Sequence, residues 1–271
     1  MKISKAFKDA IKTCFGHFGA MLGFAVAELC LTLICLAPLL LLTDPSLQYG
    51  ALLSGVLLLL LMPVIRVNAA GAMQAALAGE SLLNRRIADP TAYREKLCCG
   101  LKRFLFLLAW SAPMIACGWI AYTNFTGETD GFTVMRNIKS FGGGDLMTGV
   151  LYLGIIVIVA LLLIALGCAF HSGARHAFVL GDEQRIKGHH GKLILTWLCA
   201  LITVLPLLIA AGMAVARYLP VLKDLNGLLY GTVNLPDTKT TLIILCVGGV
   251  LTVPLMPLRS MIIAAYVKGL K

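Results

Sequence analysis

Six stretches of this chain, near 18–42, 50–77, 103–122, 147–170, 193–216 and 240–266, are almost free of charge and long enough to cross a bilayer. A helix rises 1.5 Å per residue, so about 20 residues span the roughly 30 Å of hydrocarbon. Backbone placed there has no water to bond, which leaves only helices or closed barrels as spanning structures. Barrel strands alternate apolar and polar residues, whereas these runs are solidly apolar. The expected fold is therefore an all-α polytopic membrane helix bundle: six transmembrane helices arranged as three hairpins, one integral domain over 1–271. Composition agrees, since only 13% of residues are charged, against about a quarter in a soluble domain. The first run is too long for the apolar segment of a cleaved signal, contains Glu28 and lacks a small-x-small site after it, so it reads as the first span.

Charge gives the orientation. Lysine and arginine stay on the cytosolic side of a membrane protein. One side takes Lys2, Lys5, Lys8 and Lys12, then Arg85, Arg86, Arg94, Lys96, Lys102 and Arg103, then Arg175, Arg185, Lys187 and Lys192, and finally Lys268 and Lys271. The other side holds Arg136, Lys139, Arg217, Lys223 and Lys239. Both termini are expected in the cytosol, with the chain in the cytoplasmic (inner) membrane. The net charge of +10 sits in short clusters at the ends of apolar runs rather than on one continuous face, so it speaks for topology and not for a nucleic-acid partner. Anionic lipid headgroups are the expected partners, along with a second copy or other membrane subunits.

Ahead of the first span, Ile3, Phe7, Ile11, Phe15 and Phe18 recur at helical steps while the four lysines take other positions. This predicts an amphipathic helix over 1–17, lying in the plane of an anionic leaflet or simply starting the first span. A repeat appears in the even-numbered spans: Gly71, Ala75 and Gly79, then Gly173, Ala177 and Gly181, with a degenerate third copy at Met261, Ala265 and Gly269. Small residues four apart share one helix face and let backbones approach, and a terminal glycine suits a helix C-cap. Gly19, Gly23 and Ala27 make a similar stripe in the first span, placed to face a returning helix.

The three hairpins, the segment Ala-Leu-Ala-Gly-Glu-Ser at Ala76–Ser81 and the basic stretch beyond it resemble a loose group of bacterial six-span membrane proteins of largely unknown function. That group includes the membrane domain attached to some glycerophosphodiester phosphodiesterases. The resemblance covers the layout of the whole chain but not the catalytic domain, for which there is no room. It implies a bacterial inner-membrane protein that handles lipids or assists another membrane complex, and it carries over no catalytic residue.

The sharpest functional pointers are charges inside apolar spans, because a charge at a helix centre costs about 2.5–3.5 kcal/mol even on insertion scales. Glu28, Arg66 and Arg259 qualify. Glu28 lies ten residues into its span and Arg66 eleven before the end of the next, so both sit roughly 15 Å from the cytosolic boundary and are placed to meet. Leu61, Met62, Pro63 and Arg66 are echoed by Leu255, Met256, Pro257 and Arg259; the prolines free the carbonyls of Leu59 and Val253. Two readings follow: a cytosol-facing cationic cavity for an anion such as a lipid phosphate, or a structural ion pair plus one snorkelling arginine.

Other chemistry is weakly signalled. Most of the nine cysteines lie in or beside apolar runs as small hydrophobes; Cys98 and Cys99 lack the partners of a zinc site and suit filler or acylation. His171 and His176 are five apart, which does not align metal ligands on a helix, and the run from His171 to His190 reads as a basic loop. Arg175, His176 and Asp182 are a candidate set for phosphate-ester chemistry without the rest of such a signature. Gly142, Gly143 and Gly144 read as a flexible turn in an outer loop at 123–146 that also holds the sequon Asn124-Phe125-Thr126. The last outer connection, 217–239, reads as an interfacial helix or a lid. No cofactor, metal or catalytic motif stands out. The expected function is transport-related or lipid- and anion-interacting; a non-catalytic partner or scaffold subunit of a larger complex and an intramembrane enzyme are the alternatives.

Overall fold

The computed structural model describes residues 2–41, 47–82, 85–125, 131–144, 146–223 and 236–270. Helices run in the order α1 (Ile3–Gly16), α2 (Phe18–Leu41), α3 (Leu47–Leu77), α4 (Tyr93–Phe125), α5 (Gly131–Phe141), α6 (Leu146–Phe170), α7 (Ala174–Val179), α8 (His190–Ala200), α9 (Leu205–Lys223), α10 (Thr238–Thr252) and α11 (Met256–Lys268). Short 3₁₀ turns lie at Glu183–Ile186, Leu201–Val204 and Val253–Leu255. The described residues contain no strand. Six segments are long and apolar enough to cross a membrane: Phe18–Pro38, Tyr49–Ala78, Tyr93–Ala116, Met147–Val179, His190–Pro220 and Thr238–Lys268. The chain is a multi-pass integral membrane protein.

The third segment departs most from the sequence expectation, because α4 begins at Tyr93 rather than near 103. Apolarity marks the part of a helix that lipid solvates, whereas Arg94, Glu95, Lys96 and Leu97 are good helix formers that extend α4 outside it.

The chain divides into two compact units, Met1–Leu105 with Ala169–Pro206 and Val250–Lys271, and Phe106–Cys168 with Leu207–Gly249. The first holds both described chain ends and the two arginine-rich connections, and is called the basic unit below. Its centre is α11, in which every residue from Met261 to Val267 is at most 6% exposed. A helix apolar on all sides must be surrounded, and α1, α3, α7 and α8 all pack on it. Gln74 of α3 adds a polar tie, its Nε2 donating to the Ala264 carbonyl at 3.1 Å.

The amphipathic helix α1 forms as predicted and is set apart from α2 by the break at His17. What it buries is its small-residue stripe, Ala6, Ala10 and Cys14, on the side that packs against α11. Of the larger apolar residues, Ile11, Phe15 and Phe18 are turned outward, with Phe15 74% exposed and stacked on Phe18 at 6.4 Å. All four lysines are exposed. Small side chains allow the two helix axes to approach, which leaves the bulky face for a membrane surface.

The two glycine-alanine repeats turn out to be helix caps as much as packing faces. At the end of α3, the Glu80 N–H bonds the Ala75 carbonyl and the Gly79 N–H bonds Ala76; at the end of α7, Asp182 bonds Ala177 and Gly181 bonds Phe178 in the same pattern. Gly79 and Gly181 take φ of +82° and +69°, the left-handed conformation this cap requires. Ala75 and Ala177 are buried at 5% and 0%. Gly173 is the close-approach residue: a Cβ there meets Leu193, Val267 and Ile186 side chains at 3.0–3.3 Å. Gly71 is less constrained, its nearest neighbour being Val179 at 4.0 Å. In the third copy Gly269 keeps φ at −84°, so that helix ends without the left-handed turn.

Each helix break re-satisfies its own backbone, as hydrocarbon demands. Ser172 Oγ donates to the Ala169 carbonyl between α6 and α7, and Thr203 Oγ1 donates to Ala200 between α8 and α9. Pro254 lies within the 3₁₀ turn that separates α10 from α11, and Pro257 in the first turn of α11. Pro63 stays inside α3; near it the Tyr93 hydroxyl donates to the Leu60 carbonyl at 2.9 Å. Gly100 of α4 lies against the Pro63 ring so closely that an added Cβ collides with it.

The connection from α3 to α4 is held from both sides. Asn68 Nδ2 donates to the carbonyls of Ile87 and Asp89, each at 2.9 Å, and the Asp89 carboxylate accepts from the Thr91 N–H at 3.0 Å and hydroxyl at 2.6 Å. The Thr91 hydroxyl first, then its N–H, holds the Asp89 carboxyl below the usual carboxylate range.

The second unit exposes most of its leucine, isoleucine and valine, among them Leu151, Ile155, Ile158 and Leu162, as lipid solvation requires. Its contacts are few and close. Gly167 of α6 meets the Trp110 ring of α4, Gly149 meets the Ile138 backbone of α5, and Phe141 and Tyr152 meet edge to face at 6.1 Å. The glycine run forms a turn, as expected, and caps the end of α5: Gly143 and Gly144 have φ of +69° and +99°, and the Gly144 N–H bonds the Lys139 carbonyl. The sequon falls at the end of α4, with Thr126 outside the described residues. The expected 217–239 segment lies largely outside them as well; α9 reaches Lys223, and Asp237 caps α10 through the N–H groups of Lys239 and Thr240.

Gly100→Ala is expected to destabilise the protein by about 1–3 kcal/mol through collision with Pro63, whereas Gly55→Ala, with nothing within 4 Å, is neutral or stabilising. Thermal unfolding of both variants in detergent checks the pair. Because the folded Asp89 carboxyl titrates below its unfolded value, its contribution is complete above the unfolded value and is lost as pH falls through the folded one. Hydrogen exchange over 87–92 should accelerate below about pH 4, and Asp89→Asn should abolish that acid dependence; an unchanged profile counts against the assignment.

Candidate functional site

Glu28 and Arg66 meet. Arg66 Nε donates to Glu28 Oε1 at 3.1 Å, joining α2 to α3 as their equal depth in adjacent spans predicts. One turn along α2, Thr32 Oγ1 donates to the Glu28 carbonyl at 2.7 Å and approaches Met62 Sδ at 3.6 Å, which fixes the register of the two helices. The bond uses only Nε. Both terminal nitrogens of Arg66 are left without a hydrogen bond among the described residues.

The Gly100–Pro63 contact brings α4 to the same region. Arg66 lies three residues beyond Pro63 and Arg103 three residues beyond Gly100, so each arginine emerges one turn from the point where the helices touch. From the opposite side α7 packs on α3 and carries Arg175 and His176. Arg175 is close enough that Arg103, Arg66 and Glu28 all act on its charge. It is half-buried and makes no hydrogen bond or ion pair among the described residues. His176, 3% exposed, lies within the field of Arg175 and Arg103, and its Nδ1 has no hydrogen-bond partner. The periphery is neutral in sum: Glu183, which acts on Cys99, is matched by Lys102 at 3.9 Å. Phe170 stacks on His190 at 4.1 Å and meets His171 edge-on at 5.0 Å, closing the histidine side.

Arg66 pairs with one carboxylate from α2, and the charges of Arg66, Arg103 and Glu28 all reach Arg175 of α7. In the sequence Arg103 counts only as a topological charge, and Arg175 both as one and as a member of the candidate phosphate-ester set. Arg259, expected to share the site, lies over the Trp197 ring at 4.7 Å and bonds α11 to α8 by a cation–π contact. Pro257 opens α11 immediately after a 3₁₀ turn, whereas Pro63 lies inside the unbroken α3, so the two Leu-Met-Pro segments present their arginines differently.

Two clefts open on the basic unit, and neither is lined by Glu28, Arg66 or Arg259. One, of about 1010 Å³, lies among Asn68, Arg86, Glu95 and Phe178; the other, of about 530 Å³, runs along Ala20, Gly23, Phe24 and Ala27 to Leu82 and Arg85. The side chains of Arg66 and Glu28 are 50% and 35% exposed. Among the described residues nothing lies within 4 Å of a Cβ position at Gly19 or Gly23.

Asp182 caps the turn at Glu183–Ile186, accepting from the Arg185 N–H at 3.1 Å and pairing with its Nε at 3.3 Å. Among the described residues no three His, Cys, Asp or Glu side chains converge as metal ligands. Guanidinium groups present planar N–H forks, and His176 sets a buried imidazole in the field of Arg175 and Arg103. Comparison with known proteins returned no match to this chain, whether among protein families, curated proteins or solved structures.

Proposed function

We propose that this protein resides in the cytoplasmic membrane with both termini in the cytosol and binds an anionic ligand, a lipid headgroup or a soluble phosphate compound, at Arg66, Arg103 and Arg175. The observation that carries this reading is the pairing of Glu28 with Arg66 through Nε alone, with Arg175 of α7 near enough to feel both charges. Like charges held together inside a membrane segment repel, and a bound anion is the economical way to offset them. The orientation rests on the lysines and arginines gathered in the basic unit. Lipid handling, in transport or in support of another membrane complex, also accords with the layout that resembles bacterial six-span proteins.

A second reading has its own support. The open stripe at Gly19 and Gly23 and the apolar cleft along Gly23 and Ala27 offer a helix-sized seat, as a non-catalytic partner or scaffold subunit requires.

Native mass spectrometry of the protein extracted with its lipids separates the two. Anionic ligand retained by the parent and weakened about tenfold or more in an Arg66→Ala, Arg175→Ala double variant supports the first reading. Retention unaffected by the double variant, with a second protein chain lost on Gly23→Leu, favours the second.

A further inference from the structure

We infer that α1 carries a lipid-binding surface of its own, which holds the helix on an anionic leaflet while its small-residue side stays seated on α11. The inference does not rest on the arginine cluster, and the partner it names is the headgroup layer of anionic phospholipid.

Three faces separate around α1. Ala6, Ala10 and Cys14, four residues apart, are buried at 0%, 0% and 5% on the side that packs against α11. At 3.6 residues per turn, Ile11 and Phe15 project about a third of a turn away from that stripe, and they are 41% and 74% exposed. Ile3 and Phe7 lie between the two faces and are half-buried. The remaining arc holds Lys5, Lys8 and Lys12, all exposed, with Lys2 at its edge.

Position fixes what the apolar face meets. Only His17 stands between α1 and Phe18–Pro38, the first segment apolar enough to cross a membrane. Phe15 stacks on Phe18 at 6.4 Å, so the exposed rings of α1 and of the first residue of the span form one surface. A face continuous with a lipid-solvated span meets the same lipid, and a protein partner there competes with lipid that the span already contacts.

Charge selects the lipid. The side chains of Lys2, Lys5, Lys8 and Lys12 make no hydrogen bond or ion pair among the described residues, and neither does Asp9, the one acid in α1. Four lysines against one carboxylate leave an excess of three positive charges beside the apolar face. Cations flanking an interfacial apolar stripe favour anionic over zwitterionic headgroups, and salt screens that preference. Because lipid contact and seating use different sides of one helix, they occur together. A leaflet that holds α1 beside its seat lowers the chance that the helix leaves it.

The test compares the full-length protein in nanodiscs of phosphatidylcholine with the same protein in discs that also contain phosphatidylglycerol. Hydrogen exchange over 3–16 is expected to slow about fivefold or more when the anionic lipid is present, and about 0.5 M salt should remove most of that difference. A Lys5→Gln, Lys8→Gln, Lys12→Gln variant should lose the difference yet keep slow exchange over 261–267, which shows that α11 is still packed. Phe15→Trp reports depth: in discs of brominated lipid its emission should be quenched beyond that of the parent. Exchange over 3–16 that ignores phosphatidylglycerol, or that responds equally in the lysine variant, overturns the inference. Added emission that brominated lipid leaves unquenched, with a dimer retained in native mass spectrometry, assigns the face to a second copy and overturns it too. None of the three lysines belongs to the arginine cluster, so either reading can fail while the other stands.

Discussion

Hydrocarbon tolerates no unbonded peptide group, and the rest of this architecture follows from how the chain meets that demand wherever it bends. The bends are where side chains cross between helices. Ser172 and Thr203 close two of them with their own hydroxyls, glycine caps close α3 and α7, and Pro257 opens α11 where an N–H is not needed. Beyond the break after Phe170, α7 packs on α3 and carries Arg175 and His176. The cluster depends on the irregularities, not on the straight spans.

Packing is distributed unevenly between the two units. In the basic unit α11 is enclosed on every side, and polar ties such as Gln74 to Ala264 and Asn68 to Ile87 fix neighbouring elements. In the second unit a few glycine contacts and aromatic pairs suffice, and apolar side chains face outward. Fixed geometry is found where the charges are. An arginine cluster held loosely relaxes into separate solvated side chains, whereas one mounted on α3, α4 and α7 stays convergent.

The spans were legible because twenty apolar residues in a row are a statement about solvent. The Glu28–Arg66 pair was legible too, since isolated charges at matching depths in consecutive spans stand out against their surroundings. Arg103 was hidden among the basic residues that set orientation, and Arg175 was noticed only beside His176 and Asp182, because nothing local distinguishes a guanidinium that turns inward from one that does not. Gly100 carried no signal, because its role comes from Pro63, distant in sequence. Arg259 was placed by analogy with Arg66: the similar tetrapeptides sit on an unbroken helix in one case and after a 3₁₀ turn in the other, and Trp197 provides an aromatic face that only the fold brings near. The stripe at Gly19 and Gly23 shows the reverse limit, a pattern that specifies a close approach without specifying by what.

The clasp of α1 on α11 joins segments from opposite ends of the described chain. During synthesis α1 leaves the ribosome well before α11, so Ala6, Ala10 and Cys14 have no seat until α11 has been made. Until then the seat of the lysine-bearing helix is absent, and maturation of this part of the molecule waits for a contact between segments far apart in the sequence.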